Sequence, residues 1–148
     1  MPKVFSSTKS AYLAGFLDGD GSIYVRLKPN NDYRYGFQIA PYIAFFQSNK
    51  NRKKFEKLCS VMGIGYIRER NDGILEYVIN RQAEIQTFLK AIYPYLVIKR
   101  EQTELMLKIL EKKKMVKSQK EFNQLAQLVD QFRNLNYSKK RKRYTLTP

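Results

Sequence analysis

The chain of 148 residues contains no histidine and a single cysteine, Cys59. Without an imidazole it has no histidine general base, no Ser-His-Asp triad and no His-ligated zinc. One thiol builds neither a disulfide framework nor a cysteine zinc site, and its place on an apolar helical stripe makes Cys59 a small core residue. Acid is scarce as well: 13 Asp and Glu stand against 28 Lys and Arg, a formal charge of +15 that suits a polyanionic partner without saying which. A basic ribosome-associated protein would carry the same balance. There is no apolar run long enough to span a bilayer, no signal-peptide pattern and no GxxxxGK[ST] loop. A soluble, intracellular protein with no membrane partner and no nucleotide cofactor is therefore expected. What is present suffices for one packed core, since 43% of residues are hydrophobic, and the length fits a single domain over residues 1–148.

Periodicity outlines the elements. Ser6 or Ser7 can cap a helix from about Thr8 to Asp18. The strand after it alternates, with Ile23, Val25 and Leu27 on one face and Tyr24, Arg26 and Lys28 on the other. A turn from Pro29 to Asp32 leads to a second strand from about Tyr35 to Gln47, with Phe37, Ile39, Ile43 and Phe45 on its core face. Phe55, Leu58, Cys59 and Met62 recur at helical spacing within Lys50 to Met62. A strand pair, Tyr66 to Arg70 and Leu75 to Ile79, flanks the turn Asn71-Asp72-Gly73. Helices follow over Ala83 to Tyr93 and over Lys99 to about Lys113, and a last one starts at a capping box of Ser118 and Glu121. The order is αββαββ followed by three helices, an α+β arrangement. Residues 135–148 form a basic tail in which Lys139 to Arg143 are five consecutive cations, suited to phosphate contacts.

The most informative stretch is Leu13 to Ser22, LAGFLDGDGS. It reads as the end of an apolar helix with small residues four apart at Gly15 and Gly19, a spacing that lets two helix backbones approach closely. Packed against a copy of itself, this helix brings two Asp20 side chains near a shared axis. A carboxylate at a helix C-terminus faces the negative end of the macrodipole. Mg²⁺ or another hard, oxygen-seeking ion would resolve that conflict.

This segment closely resembles the motif of the LAGLIDADG homing endonucleases. KPNNDY (from Lys28), GIGYIRER (from Gly63), YLVIKREQ (from Tyr95) and LNYSKK (from Leu135) are similar to segments of the family's single-motif, intron-encoded subgroup. The resemblance implies the homing endonuclease fold, an αββαββα core with a four-stranded antiparallel DNA-binding sheet and extra C-terminal helices. It implies a site-specific endonuclease that makes a double-strand break with 3′ overhangs at a long, near-palindromic intron-insertion site. A single motif implies a homodimer, with Leu13, Gly15, Phe16 and Gly19 at the interface, and the partner is double-stranded DNA. Asp20 matches the family's metal-binding acid, with Gly19 beside it. Mg²⁺ is the implied cofactor, with Mn²⁺ substituting and Ca²⁺ binding without supporting cleavage. Gln47 matches the residue that orients water and Lys99 the lysine near the scissile phosphate, with Gln102 a further candidate. The family's basic residue four positions after Gln47 is replaced by Asn51, with Arg52 next to it, so the fourth member is open between those two.

On this reading Arg26, Lys28, Asn30, Tyr33, Gln38, Tyr42, Arg68, Arg70 and Glu76 reach base edges from the sheet. Arg and Lys suit guanine, Asn and Gln adenine, and Glu cytosine. Ser138, Lys139 and Lys140 hold the backbone. An organelle, chloroplast or mitochondrion, or a prokaryotic cytoplasm is the implied compartment. The alternative on the same fold is an RNA-binding group I intron maturase, which would not need Asp20, Gln47 and Lys99 together.

Overall fold

The computed structural model describes residues 5–136; Ser138, Lys139 and Lys140 lie outside the described residues. The elements run α1 (Ser7–Asp20), β1 (Gly21–Pro29), β2 (Phe37–Ser48), α2 (Arg52–Met62), β3 (Tyr66–Glu69), β4 (Ile74–Ile79), α3 (Gln82–Ile92), α4 (Arg100–Lys113) and α5 (Gln119–Leu135). This is the expected order, and the strands form one four-stranded antiparallel sheet arranged β1-β2-β4-β3. The described residues gather into two compact units. One holds the chain up to Ile23 together with Tyr42–Arg100, and the other Tyr24–Pro41 together with the residues from Glu101 on.

In the first unit α1 buries Ser10, Leu13, Ala14 and Leu17, which are three, four and seven residues apart along one stripe. Phe45 is the hub of this core. Its ring meets Phe16 at 5.2 Å, Phe88 edge-on at 6.0 Å and Tyr77 at 6.3 Å between centroids. Cys59 lies buried with Phe55 and Met62 on α2. Burial, aided by the nearby Glu56 carboxylate, pushes its thiol up to about 12. The β3–β4 hairpin closes with Arg68 opposite Glu76, and β2 sets Phe46 on the other side of Glu76.

The expected cap is present, while the end of α1 and the start of α2 differ most from expectation. The cap is Ser6, whose Oγ accepts the Lys9 N–H at 3.2 Å, and α1 runs on through Asp20, so both carboxylates belong to its last turn. It stops where Gly21 swings to extended backbone; a Cβ there would lie 2.9 Å from the Leu17 Cα, a close approach only glycine permits. At the other boundary a 3-10 turn, Asn49–Asn51, occupies the expected first residues of α2, because the Ser48 Oγ accepts the Lys50 N–H at 3.2 Å and tightens the chain.

In the second unit β1 continues its alternation, with Val25 and Leu27 buried and Arg26 and Lys28 exposed. Tyr35 stacks on Phe122 at 5.0 Å. The Ser118 Oγ accepts the Glu121 N–H at 3.1 Å as the capping box requires, but the Glu121 carboxylate returns to the Lys117 N–H rather than to that of Ser118. Gln102 is buried and donates from Nε2 to the Leu135 carbonyl at 3.1 Å. That bond ties α4 to α5 and removes Gln102 from the active-site candidates.

Because Phe45 is 1% exposed and joins three other rings, Phe45→Ala should destabilise the protein by about 3–5 kcal/mol in urea unfolding. A loss below about 1 kcal/mol would mean the aromatic hub is not the centre of the core.

Candidate active site and nucleic-acid interface

The last turn of α1 is joined to the segment ahead of α4 by a reciprocal pair of caps. The Asp18 carboxylate accepts the Val97 N–H at 2.8 Å through Oδ2 and the Lys99 N–H at 2.9 Å through Oδ1. In return the Lys99 ammonium donates to the Asp18 carbonyl at 3.0 Å. Lys99 directly precedes α4, so its N–H is one of the donors a helix start leaves without a partner, and the Asp18 carbonyl is one of the acceptors a helix end leaves open. Each side chain answers the deficit at the other's terminus. Burial holds the Lys99 pKa below the ordinary lysine value, and the charges of Asp18 and Asp20 recover part of that drop. Asp20 itself is exposed, as is Gly19, which has only backbone to offer a ligand.

Around the helix from this turn lies a second face. A Cβ built on Gly15 or on Gly19 meets nothing within 4 Å. Tyr12 on the same helix is 59% exposed, and Val97, whose N–H Asp18 holds, is 79% exposed. Phe16 is half-buried, stacked on Tyr12 at 6.4 Å and packed on Phe45. Leu13 departs from the expected interface set: at 1% exposure it faces its own core, on the stripe shared with Ala14 and Leu17.

Gln47 ends β2 with its Oε1 accepting the Ser48 N–H at 2.9 Å and the Asn51 Nδ2 at 3.2 Å. Arg52 points elsewhere, paired with Glu69 and, at 3.4 Å, with Glu56. Of the two residues open at the fourth position, Asn51 is therefore the one joined to Gln47.

On the outer face of the first unit, Arg68 and Arg70 are exposed and Tyr42 is half-buried. Glu76 departs from its expected role as a free acceptor for bases. It is 9% exposed, and its carboxylate takes Arg68 Nε at 2.9 Å and Arg70 Nε at 3.7 Å. Asp72 holds Arg70 from the turn at 2.7 Å. In the second unit Arg26, Lys28 and Tyr33 are exposed and Gln38 is half-buried. The Asn30 Oδ1 accepts the Asp32 N–H at 3.0 Å, so that side chain also builds its own turn. Residue types alone do not reveal the caps made by Asp18, whereas the hairpin pattern already makes Glu76 a neighbour of Arg68 and Arg70. A signal for the caps existed in an acid at a helix end whose last turn holds no cation.

Among the described residues no three carboxylate or thiol side chains converge on one point. Asp20 nevertheless suits a hard divalent ion. It is an exposed oxygen donor at the end of a helix where carbonyls point outward, beside the face left open by Gly15 and Gly19.

The chain is similar to known proteins in sequence and fold. A LAGLIDADG endonuclease profile matches residues 13–101. The chain is 37% identical over 132 residues to the DNA endonuclease I-CreI of Chlamydomonas reinhardtii, covering 88% of this chain and 80% of that one. It is 34% identical over 133 residues to the DNA endonuclease I-CvuI of Chlorella vulgaris, covering 90% and 83%. The fold superposes on a crystal structure of I-CvuI with the I-CreI target, uncleaved in 2 mM Mg, at a TM-score of 0.85 over 91% of this chain and 86% of that one, with 33% identity.

The glycines separate into two kinds. Gly21→Ala should cost roughly 1–3 kcal/mol because the Leu17 backbone cannot yield to the new methyl group. Gly19→Ala should leave protomer stability unchanged or raise it by up to about 1 kcal/mol. Urea unfolding at several protein concentrations checks the pair; equal losses would contradict the open face.

Proposed function

The chain belongs to the LAGLIDADG endonuclease family, and from that membership we propose how it works: as a homodimeric homing endonuclease, each protomer giving one Asp20 to a double-strand break at a long, near-palindromic intron-insertion site. It is a site-specific DNA endonuclease, hydrolysing phosphodiester bonds. The observation that carries the dimeric reading is the bare side of α1. A helix that already buries Leu13, Ala14 and Leu17 on one face keeps a second, glycine-lined face where a Cβ meets nothing within 4 Å. A second copy of α1 fits there closely, and two-fold pairing brings the two Asp20 carboxylates together. Among the described residues no three carboxylates converge, so one protomer offers few oxygen donors for a tight divalent site. The family match, running from residue 13 to residue 101, crosses both compact units, which supports reading the chain as one endonuclease domain.

Asp20 with the Gly19 backbone would hold the divalent ion, Mg²⁺ by preference, with Mn²⁺ as substitute and Ca²⁺ binding without turnover. Bound there, the ion supplies positive charge to the phosphate and acidifies water. The Lys99 ammonium, anchored beside Asp20, offsets charge that develops on the phosphoryl oxygens. Its half-buried setting strengthens that interaction relative to bulk water. Gln47, fixed by Asn51, offers its amide to order water at the phosphate. No histidine exists to take the proton from the nucleophile.

Target reading divides between the two units. Arg68 and Arg70 donate to base edges from the first, and Arg26, Lys28 and Gln38 from the second, the last three next to buried residues of their strands. Glu76 aligns the two arginines. The compartment we propose is one with intron-bearing DNA, an organelle or a prokaryotic cytoplasm. An RNA-binding maturase gives no reason for Lys99 to be fastened beside Asp20.

Asp20→Asn removes one charge without changing shape, so it should abolish cleavage in Mg²⁺ while target affinity in Ca²⁺ stays within a few-fold. Cleavage at the unsubstituted rate would refute the assignment. Glu76→Gln should weaken discrimination by about 1–3 kcal/mol at the same base pairs affected by Arg68→Ala and Arg70→Ala. Binding to a panel of singly substituted targets makes the comparison; losses at a different base pair would show that Glu76 reads a base itself.

A further inference from the structure

The acid two residues before Asp20 has been given no part in the reaction. We propose that Asp18 is a positioning residue for cleavage, acting through Lys99: it fixes both the backbone and the ammonium of Lys99 at the end of α1, so that the cation stands where Asp20 engages the phosphate. This rests on the reading of Lys99 as the residue that meets the scissile phosphate.

Three hydrogen bonds made by Asp18, two with Lys99 and one with Val97, carry the inference. A lysine side chain has four rotatable bonds and ordinarily spreads over many rotamers. Here both ends of Lys99 are held by one residue 81 positions earlier in the chain, its N–H by the Asp18 carboxylate at 2.9 Å and its ammonium by the Asp18 carbonyl at 3.0 Å. The second carboxylate oxygen takes the Val97 N–H at 2.8 Å, which stops the segment from pivoting about a single bond. Bonds to an ionised acceptor are among the stronger ones available to a backbone N–H. An ordinary packing residue at this place would need no charge, because Leu17 already closes the core beneath it at 0% exposure. The geometry thus restrains Lys99 at both its backbone and its ammonium.

A double-mutant cycle on the full chain tests this. Asp18→Asn, Lys99→Ala and the double variant are compared for single-turnover cleavage in Mg²⁺, target binding in Ca²⁺, and hydrogen exchange at the Val97 and Lys99 amides. Asp18→Asn should exchange faster at those two amides, bind the target within about threefold, and cleave about 10²-fold more slowly, the scale expected for a misplaced group. In the Lys99→Ala background the same change should cost less than about threefold more, because its effect passes through the missing ammonium. Unchanged cleavage by Asp18→Asn, or losses that multiply in the double variant, would overturn the inference. If Lys99→Ala alone cleaved normally, the reading of Lys99 would fail and take the inference with it; faster amide exchange in Asp18→Asn would then identify Asp18 as purely structural. Should Asp18→Asn lose its thermal transition, Asp18→Glu, which keeps the charge but displaces it by one methylene, carries the same cycle.

Discussion

Two carboxylates in the last turn of one helix, at the end where backbone carbonyls repel anions, are the constraint on which the site depends. Asp18 escapes that repulsion by accepting the Val97 and Lys99 N–H groups. The exposed carbonyl end gains the Lys99 ammonium in exchange. Asp20 receives only a share of the lysine's field and stays in contact with solvent. The helix end is thus left with one acid satisfied and one acid exposed, to which the proposed divalent ion would bind together with phosphate. Glycine at position 21 belongs to the same arrangement, since a Cβ there would lie 2.9 Å from the Leu17 Cα.

Assembly follows from the other property of this helix, that it is apolar on more than one side. Ser10, Leu13, Ala14 and Leu17 serve the protomer's own core, whereas Gly15 and Gly19 lie open with Tyr12 exposed near one end and Val97 near the other. Small residues gain little from burial by themselves. Their contribution is to let two backbones come near enough for the neighbouring acids to share ligands. On the proposed reading, function and dimerisation are properties of one helix rather than of two separate surfaces.

Much of this was legible in the residues. The αββαββ order, the alternation of β1 and the buried stripes of α2, α3 and α5 follow from period and turn chemistry, and LAGFLDGDGS pointed to Asp20. What could not be read were partnerships across long sequence distances. Asp18 and Lys99 are 81 residues apart, and nothing local distinguishes this lysine from its many neighbours. Glu76 looked like a polar reader because it alternates with core residues, but the hairpin register sets it opposite Arg68, where opposite charges neutralise each other. Leu13 was assigned to the wrong side because a motif written as a string conceals which of two apolar faces each residue serves.

We propose that a working site needs the Asp20 of two protomers. A mixed dimer, purified through two different affinity tags and carrying Asp20→Asn in one copy only, measures this directly in a plasmid cleavage assay under Mg²⁺. The account predicts that such a dimer binds the target yet fails to make double-strand breaks. Double-strand cleavage by the mixed dimer at the rate of the unsubstituted protein would contradict it.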